Sequence, residues 1–252
     1  AGSLNEMSAQ LSQALESLQS ANEQLQSDIE KQRRQERQRI DFFTSVSHEL
    51  KTPITIIKGE LEGMIYKVGE YKDRDAYLKH ALKTATDMEI LVKDILSAAR
   101  MGGSDFQILR EKVDMTSLVE RCCRKVKGIA EDKKIKMLSH LQQNVFYHGD
   151  ERLLQQAVSN IINNAVIYSP EQAEVEVELS DAMLTVHNTG VHIKDEDLEQ
   201  LFIPFFRVDK SRNRNTGGSG LGLYIVKTIF DHHRISYKLG NTENGVKFTV
   251  GF

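Results

Sequence analysis

The chain has 252 residues, 40% of them hydrophobic and 27% charged, with a net charge of −3. That balance fits one or two globular domains with ordinary cores and gives no electrostatic reason to expect direct binding to nucleic acid. No apolar run approaches the roughly 20 residues of a membrane span, no signal peptide is visible, and the adjacent pair Cys122 and Cys123 disfavours a structural disulfide and suits a reducing compartment.

Ala1-Gly2-Ser3 has the look of a cloning remnant, so the chain is expected to be part of something longer. Leu4, Leu11, Leu18 and Leu25 recur at heptad spacing, with Met7, Ala14 and Ala21 at the companion positions. Such a stripe predicts a coiled coil, and a parallel dimer is its natural form. From Gln32 to Arg39 the stripe loses its apolar residues, then resumes at Ile40, Phe43, Val46 and Leu50 in a shifted phase, which reads as a stutter.

The same helical pattern carries Ser47-His48-Glu49-Leu50-Lys51-Thr52-Pro53. In a helix His48 and Thr52 lie one turn apart on one face, so both can reach a single reacting group. Pro53 has no N–H and crowds the carbonyl of Glu49, so the helix is expected to bend or loosen there. Ile54, Ile57, Leu61 and Ile65 continue the stripe to a break at Lys67-Val68-Gly69-Glu70. A second amphipathic helix runs from about Tyr77 and stops at Met101-Gly102-Gly103, where glycine ends it. Two such helices cannot bury both stripes alone. A dimeric four-helix bundle solves this, with His48 on its outer flank.

A domain boundary is expected at residues 102–106, because the pattern then changes character. Phe106 to Val113 alternates like a strand, and Asp114 caps a helix to Glu131. Ile135 to Leu141 and Val145 to Tyr147 read as strands, and Asp150 opens a strongly apolar helix. Val175 to Leu179 and Met183 to Val186 form a hairpin-like pair across Ser180-Asp181. Gly220 opens a further helix, and Ile235 to Leu239 with Val246 to Val250 close the chain. The fold class is multidomain: a coiled coil continuing into a helical bundle, then an α/β sandwich with a mixed sheet and helices on one face.

Four features of this last domain point to chemistry. Asn160 and Asn164 share one helix face, Asn188-Thr189-Gly190 ends a strand, and Phe202, Phe205 and Phe206 surround Pro204. Finally, Gly217-Gly218-Ser219-Gly220-Leu221-Gly222-Leu223 runs into a helix. Glycines allow close backbone approach, a helix start offers unpaired N–H groups to phosphate, and amide oxygens suit a magnesium ion that keeps several waters. Two other nucleotide motifs fail: Val246 stands where a P-loop needs lysine, and Leu223 where a dinucleotide fingerprint needs its third glycine.

Taken together, the surroundings of His48, Asn160 to Tyr168, Asn188 to Ile193, Phe202 to Phe206 and Gly217 to Leu223 resemble the cytoplasmic catalytic half of a sensor histidine kinase of two-component systems. The resemblance covers residues 40 to 252. It implies a coiled-coil signalling helix over 1–39, a dimerisation and histidine-phosphotransfer hairpin over 40–103, and an ATP-binding domain of the gyrase, Hsp90 and MutL type over 104–252. By the same resemblance, His48 is the phospho-acceptor, Glu49 its general base and Thr52 the residue that positions water for dephosphorylation. Asn164 is the implied Mg2+ ligand and Asn160 its neighbour. Tyr168, Asn188, Gly190, Phe206, Arg207, Gly218, Gly220, Leu221, Gly222 and Leu223 are the implied ATP contacts, with residues 207–216 as a lid.

The implied partners are a second copy of the chain and the receiver domain of a response regulator. The implied setting is the cytoplasmic part of a membrane-anchored bacterial sensor. Three residues depart from the family pattern. Asn188 replaces an aspartate that reads the adenine amino group, so weaker or less selective ATP binding is expected. Ile167 stands where a lysine or arginine is common, a loss that Arg212 or Arg214 could offset, and His192 where glycine is common. An alternative is a chain that is mainly a phosphatase, or a dimeric scaffold with weak ATP binding.

Overall fold

A computed structural model of the chain describes residues 2–67, 71, 73–103, 106–208 and 218–252. They form two units, one ending at Thr52 and one running from Pro53 to Phe252. The first helix, α1 (Gly2–Tyr66), includes Pro53, and Lys67 leaves it in the left-handed region at φ 54°. The helix therefore persists through the proline, at the cost of the bond that the missing N–H would have made.

In the first unit the seam is bare in the single chain, with Leu18 68% and Leu25 59% exposed. The side chains of Leu4, Met7, Leu11 and Ala14 lie outside the described residues.

The second unit begins with the rest of the hairpin. Helix α2 (Arg74–Met101) starts where the Asp73 carboxylate accepts from the Ala76 N–H at 3.2 Å, and it ends where the Gly102 N–H bonds the Ala98 carbonyl. The expected strand from Phe106 is shorter than its alternation suggested: only β1 (Glu111–Asp114) is paired, because its antiparallel partner β3 (Phe146–Gly149) is equally short. Phe106 instead sets its ring 5.1 Å from the His232 ring.

Helix α3 (Met115–Asp132) is capped by Asp114, whose carboxylate accepts from the Ser117 N–H. Strand β2 (Lys136–Leu141) leads through β3 to helix α4 (Glu151–Tyr168) and strand β4 (Glu174–Leu179). Helical crossover makes the β2–β4 pair parallel, a pairing the sequence pattern did not reveal. Strand β5 (Met183–Thr189), the short helix α5 (Asp195–Leu198), helix α6 (Gly222–His233), and strands β6 (Ser236–Asn241) and β7 (Gly245–Gly251) complete the order. The larger sheet runs β2-β4-β5-β7-β6, and every pair except the first is antiparallel.

Alternation decides which face is buried. Val175, Val177 and Leu179 of β4, Leu184 and Val186 of β5, and Val246, Phe248 and Val250 of β7 are all buried. The intervening Glu174, Glu176 and Glu178 stay accessible. Helices α3, α4 and α6 pack side by side, and each touches a strand of the larger sheet. Helix α4 is apolar on more than one stripe because it has neighbours on several sides: Leu153, Leu154, Ala157, Val158, Ile161, Ile162, Ala165 and Val166 are all buried.

Both ends of α4 are held by other elements. At the start, the Asp150 carboxylate accepts from the Leu153 N–H at 3.0 Å, and the Asp150 N–H donates to His233 Nε2 at 3.0 Å. His233 Nδ1 donates to the Ile229 carbonyl at 2.8 Å, so the buried imidazole uses both nitrogens in its neutral form. At the far end Lys133 Nζ donates to the carbonyls of Val166, Ile167 and Ser169.

Burial pulls the His233 pKa below its ordinary value, against the opposing pull of the Ile229 carbonyl and the Asp150 carboxylate, while Arg110 and His232 add to the lowering. The unfolded chain therefore takes up a proton at higher pH than the folded one. The contribution of His233 to stability is present above about pH 6.5 and lost as the pH falls through the folded value. Thermal melts should show a midpoint that drops as the pH falls below about 6.5, with a shallower drop in His233→Gln. Replacing it with alanine, which leaves the Asp150 N–H buried and unpaired, should cost about 1–3 kcal/mol.

Candidate functional site

Asn160 and Asn164 sit on the α4 face that meets the start of α6. Asn160 Nδ2 donates to the Gly222 carbonyl at 3.2 Å. A Cβ on Gly222 would lie 3.8 Å from Asn160 Cγ and 3.9 Å from Asn164 Nδ2, so the paired amides and the glycine loop are in contact distance. Gly218 passes more closely still over Tyr168, whose hydroxyl is 2.8 Å from the place a Gly218 Cβ would take. Gly217 and residues 209–216, including Arg212 and Arg214, lie outside the described residues.

The loop is shaped at Gly220, which has φ +70° and whose missing Cβ would fall 2.8 Å from Phe205 Cα. No other residue fits both conditions. Phe205 faces it, itself at φ 64°, and its N–H donates to the Gly220 carbonyl at 3.0 Å. This bond holds the segment Phe206-Arg207 beside the loop. Leu221 is fully buried and its N–H donates to Ser219 Oγ at 3.2 Å. The N–H groups at the start of α6, at Gly222 and Leu223, have no carbonyl of the helix ahead of them to bond. They present a positive helix end to an anion.

Beside the C-terminal end of α4, Asn188 closes the buried row Leu184, Val186, Asn188 of β5. Its Nδ2 donates to Ser169 Oγ at 3.1 Å. Gly190 follows at φ +77°, its N–H bonded to the Asn244 carbonyl. Amide oxygens without a carboxylate suit a magnesium ion that brings its own waters and phosphate ligands. Among the described residues no cluster of His, Cys, Asp or Glu could hold a metal by itself.

His48, Glu49 and Thr52 belong to the other unit and are exposed on α1. The Thr52 hydroxyl donates to the His48 carbonyl at 3.3 Å. Among the described residues the Glu49 carboxylate makes no hydrogen bond to His48. Burial raises the Cys122 pKa and pushes Cys123 up to about 11, which disfavours the reactive thiolate in both.

Sequence reasoning missed four contributors. Lys133 and Ser169 fasten the end of α4. Ser219 and Asp94 join the glycine loop to α2, the hydroxyl donating to the carboxylate at 2.9 Å. Nothing in the sequence pairs Asp94 with Ser219, which is 125 positions away. Further contacts tie α2 to the same helices, from Ser97 to Gln156 and from His232 to the Met101 carbonyl.

Residues 38–104 match the family described as His Kinase A (phospho-acceptor) domain. Residues 149–252 match the family described as histidine kinase-, DNA gyrase B- and HSP90-like ATPase. Sensor protein VanSB of Enterococcus faecalis is 34% identical over 228 residues, 89% of this chain and 51% of the relative. Phosphate regulon sensor protein PhoR of Pseudomonas aeruginosa is 31% identical over 231 residues, 89% of this chain and 52% of the relative. The chain thus spans about half the length of the curated relatives it matches. In fold, it is similar to Acinetobacter baumannii histidine kinase AdeS, with TM-score 0.63 and 23% identity over 81% of this chain and 96% of that one. It is also similar to histidine kinase ThkA, solved in complex with the response regulator protein TrrA, with TM-score 0.67 and 22% identity over 84% of this chain and 60% of that one.

Burial raises the Asp94 pKa against the lowering effect of the Ser219 bond, so the charged carboxylate is penalised at neutral pH. Asp94→Asn keeps an acceptor for the hydroxyl without the charge. It should raise the melting temperature at pH 7.5, and the gain should vanish once the pH falls below the carboxylate range, where the wild-type group is protonated.

Proposed function

The chain belongs to the sensor histidine kinases of two-component systems, and from that premise we propose that it binds ATP, phosphorylates its own His48 and passes the phosphoryl group to an aspartate on a response regulator's receiver domain. The observation that carries this reading is the meeting of Asn160 and Asn164 with the glycine loop at the start of α6, in a chain whose phospho-acceptor match spans His48.

In this reading the start of α6 and the loop from Gly218 to Leu223 cradle the phosphates, with Tyr168, Phe206 and Arg207 at the pocket edge. Asn188 accepts from the adenine amino group. Asn164, next to Asn160, would hold Mg2+, which would supply charge neutralisation at the phosphates. An imidazole nitrogen of His48 attacks the γ-phosphorus. The nitrogen–phosphorus bond forms as the bond to the β,γ-bridging oxygen breaks, and ADP leaves. Glu49 takes the imidazole proton once its exposed side chain turns towards the ring. Catalysis of this kind is positioning plus electrostatics. Thr52, one turn from His48, serves the reverse step on the phosphorylated regulator.

The domain limits proposed are 1–39 for the signalling helix, 40–103 for the phosphotransfer hairpin and 104–252 for the ATP-binding domain. Exposed Leu18 and Leu25 favour a homodimer that covers the seam. The complex of ThkA with TrrA supports a receiver domain as the partner. We infer that the chain lies on the cytoplasmic side of a membrane-anchored sensor, a reading supported by kinship with longer sensor proteins.

Incubated with γ-labelled ATP, the wild-type chain should acquire label that is lost in acid and survives alkali. His48→Ala should acquire none while binding nucleotide as before; label on that variant sinks the assignment of the acceptor. Asn164→Ala should weaken magnesium-dependent ATP binding by about tenfold or more, the scale of losing a metal-ordering contact.

A further inference from the structure

An amide can meet a ligand either way round, offering oxygen as acceptor or nitrogen as donor, whereas a carboxylate accepts from both sides. Asn188 therefore needs something to choose for it. Ser169 does so. Ser169 Oγ lies 2.6 Å from the Ala165 carbonyl and 3.1 Å from the Asn188 amide. A carbonyl only accepts, so the one hydroxyl proton goes to Ala165, and Ser169 has only a lone pair left for Asn188. Asn188 must then turn Nδ2 to the serine and keep Oδ1 for whatever lies on its other side.

Both residues are buried, Ser169 at 2% exposure and Asn188 at 7%, so a reversed amide would set two acceptors against each other with little water to relieve them. The serine is not free to move away. Lys133 Nζ donates to its carbonyl at 2.6 Å, and Pro170 keeps it extended at φ −70°, ψ 143°. Among the described residues the Asn188 side chain makes no hydrogen bond besides that to Ser169.

We propose that Ser169 sets the base preference of the site: by fixing the Asn188 amide with its oxygen towards the ligand, it selects a purine nucleotide with an amino group at position 6 over one with a carbonyl there. This rests on the reading of Asn188 as the base contact. Without the serine the amide can turn over, donate from Nδ2 to a 6-carbonyl and accept either base. Ser169 is a positioning residue. It acts only through Asn188.

The test is calorimetric binding of ATP and inosine triphosphate, with magnesium, to the full chain. The two nucleotides differ at position 6 and in the protonation of the adjoining ring nitrogen. The wild type should prefer ATP by about tenfold or more. Ser169→Ala should lose most of that preference by gaining affinity for inosine triphosphate, and Ser169→Thr should keep it. The double variant Ser169→Ala with Asn188→Asp should regain it, because a carboxylate has no donor side; a merely structural serine would not give this rescue. Should Ser169→Ala fail to fold, Ser169→Cys, of similar size but weak in hydrogen bonding, is read in the same way.

A Ser169→Ala chain as selective as wild type, or a double variant that stays unselective, overturns the proposal and leaves the kinase reading standing. A wild type that prefers inosine triphosphate overturns the proposed amide orientation. One that binds neither nucleotide overturns the underlying reading and this inference with it.

Discussion

Helix α4 is buried along most of its length, and the polar groups at its ends must still find partners. They find them in distant segments. The Asp150 N–H reaches His233 at the end of α6, and the carbonyls of Val166, Ile167 and Ser169 converge on the ammonium of Lys133. Leaving any one of these groups unpaired would cost about 1–3 kcal/mol. With both ends tied, α4 has one rotation about its axis, and that rotation turns Asn160 and Asn164 towards Gly222. The candidate face of the domain follows from the way an apolar helix is capped.

The glycine loop shows the same economy. Phe205 and Gly220 both take positive φ and exchange a backbone hydrogen bond, so two unusual conformations support one another. The left-handed region costs a side-chain-bearing residue about 1–2 kcal/mol, which the packing around Phe205 must offset. That strained residue lies next to Phe206 and Arg207, at the edge of the proposed nucleotide face. Asp94 adds a constraint from α2: its carboxylate holds Ser219 while its own burial disfavours the charge. Helix α2 and the glycine loop are thus joined through a group whose preference depends on protonation.

Much of this was legible beforehand. The heptads, the stop at Gly102, the caps Asp114 and Asp150, and the alternation of β4 and β5 are local codes, each written within one or two turns of chain. The four features of the candidate site were readable for the same reason, since Asn160 and Asn164 or Gly218 to Gly222 signal by short spacing. The run from Phe106 misled because alternation states a capacity to pair and says nothing of whether a partner strand is long enough.

By itself, the sequence determined the element types, the apolar faces, the family and the residue types at the candidate site, because these depend on neighbours a few positions apart. Only the tertiary structure decided that β2 and β4 run parallel, that Lys133 ends α4, and that Asp94 meets Ser219. It also decided that Ser169 governs which atom of Asn188 faces outward. Hydrogen bonds between groups scores of residues apart leave no periodic trace in the chain. They exist only because burial excludes water and obliges each polar group to find whatever partner the fold brings near.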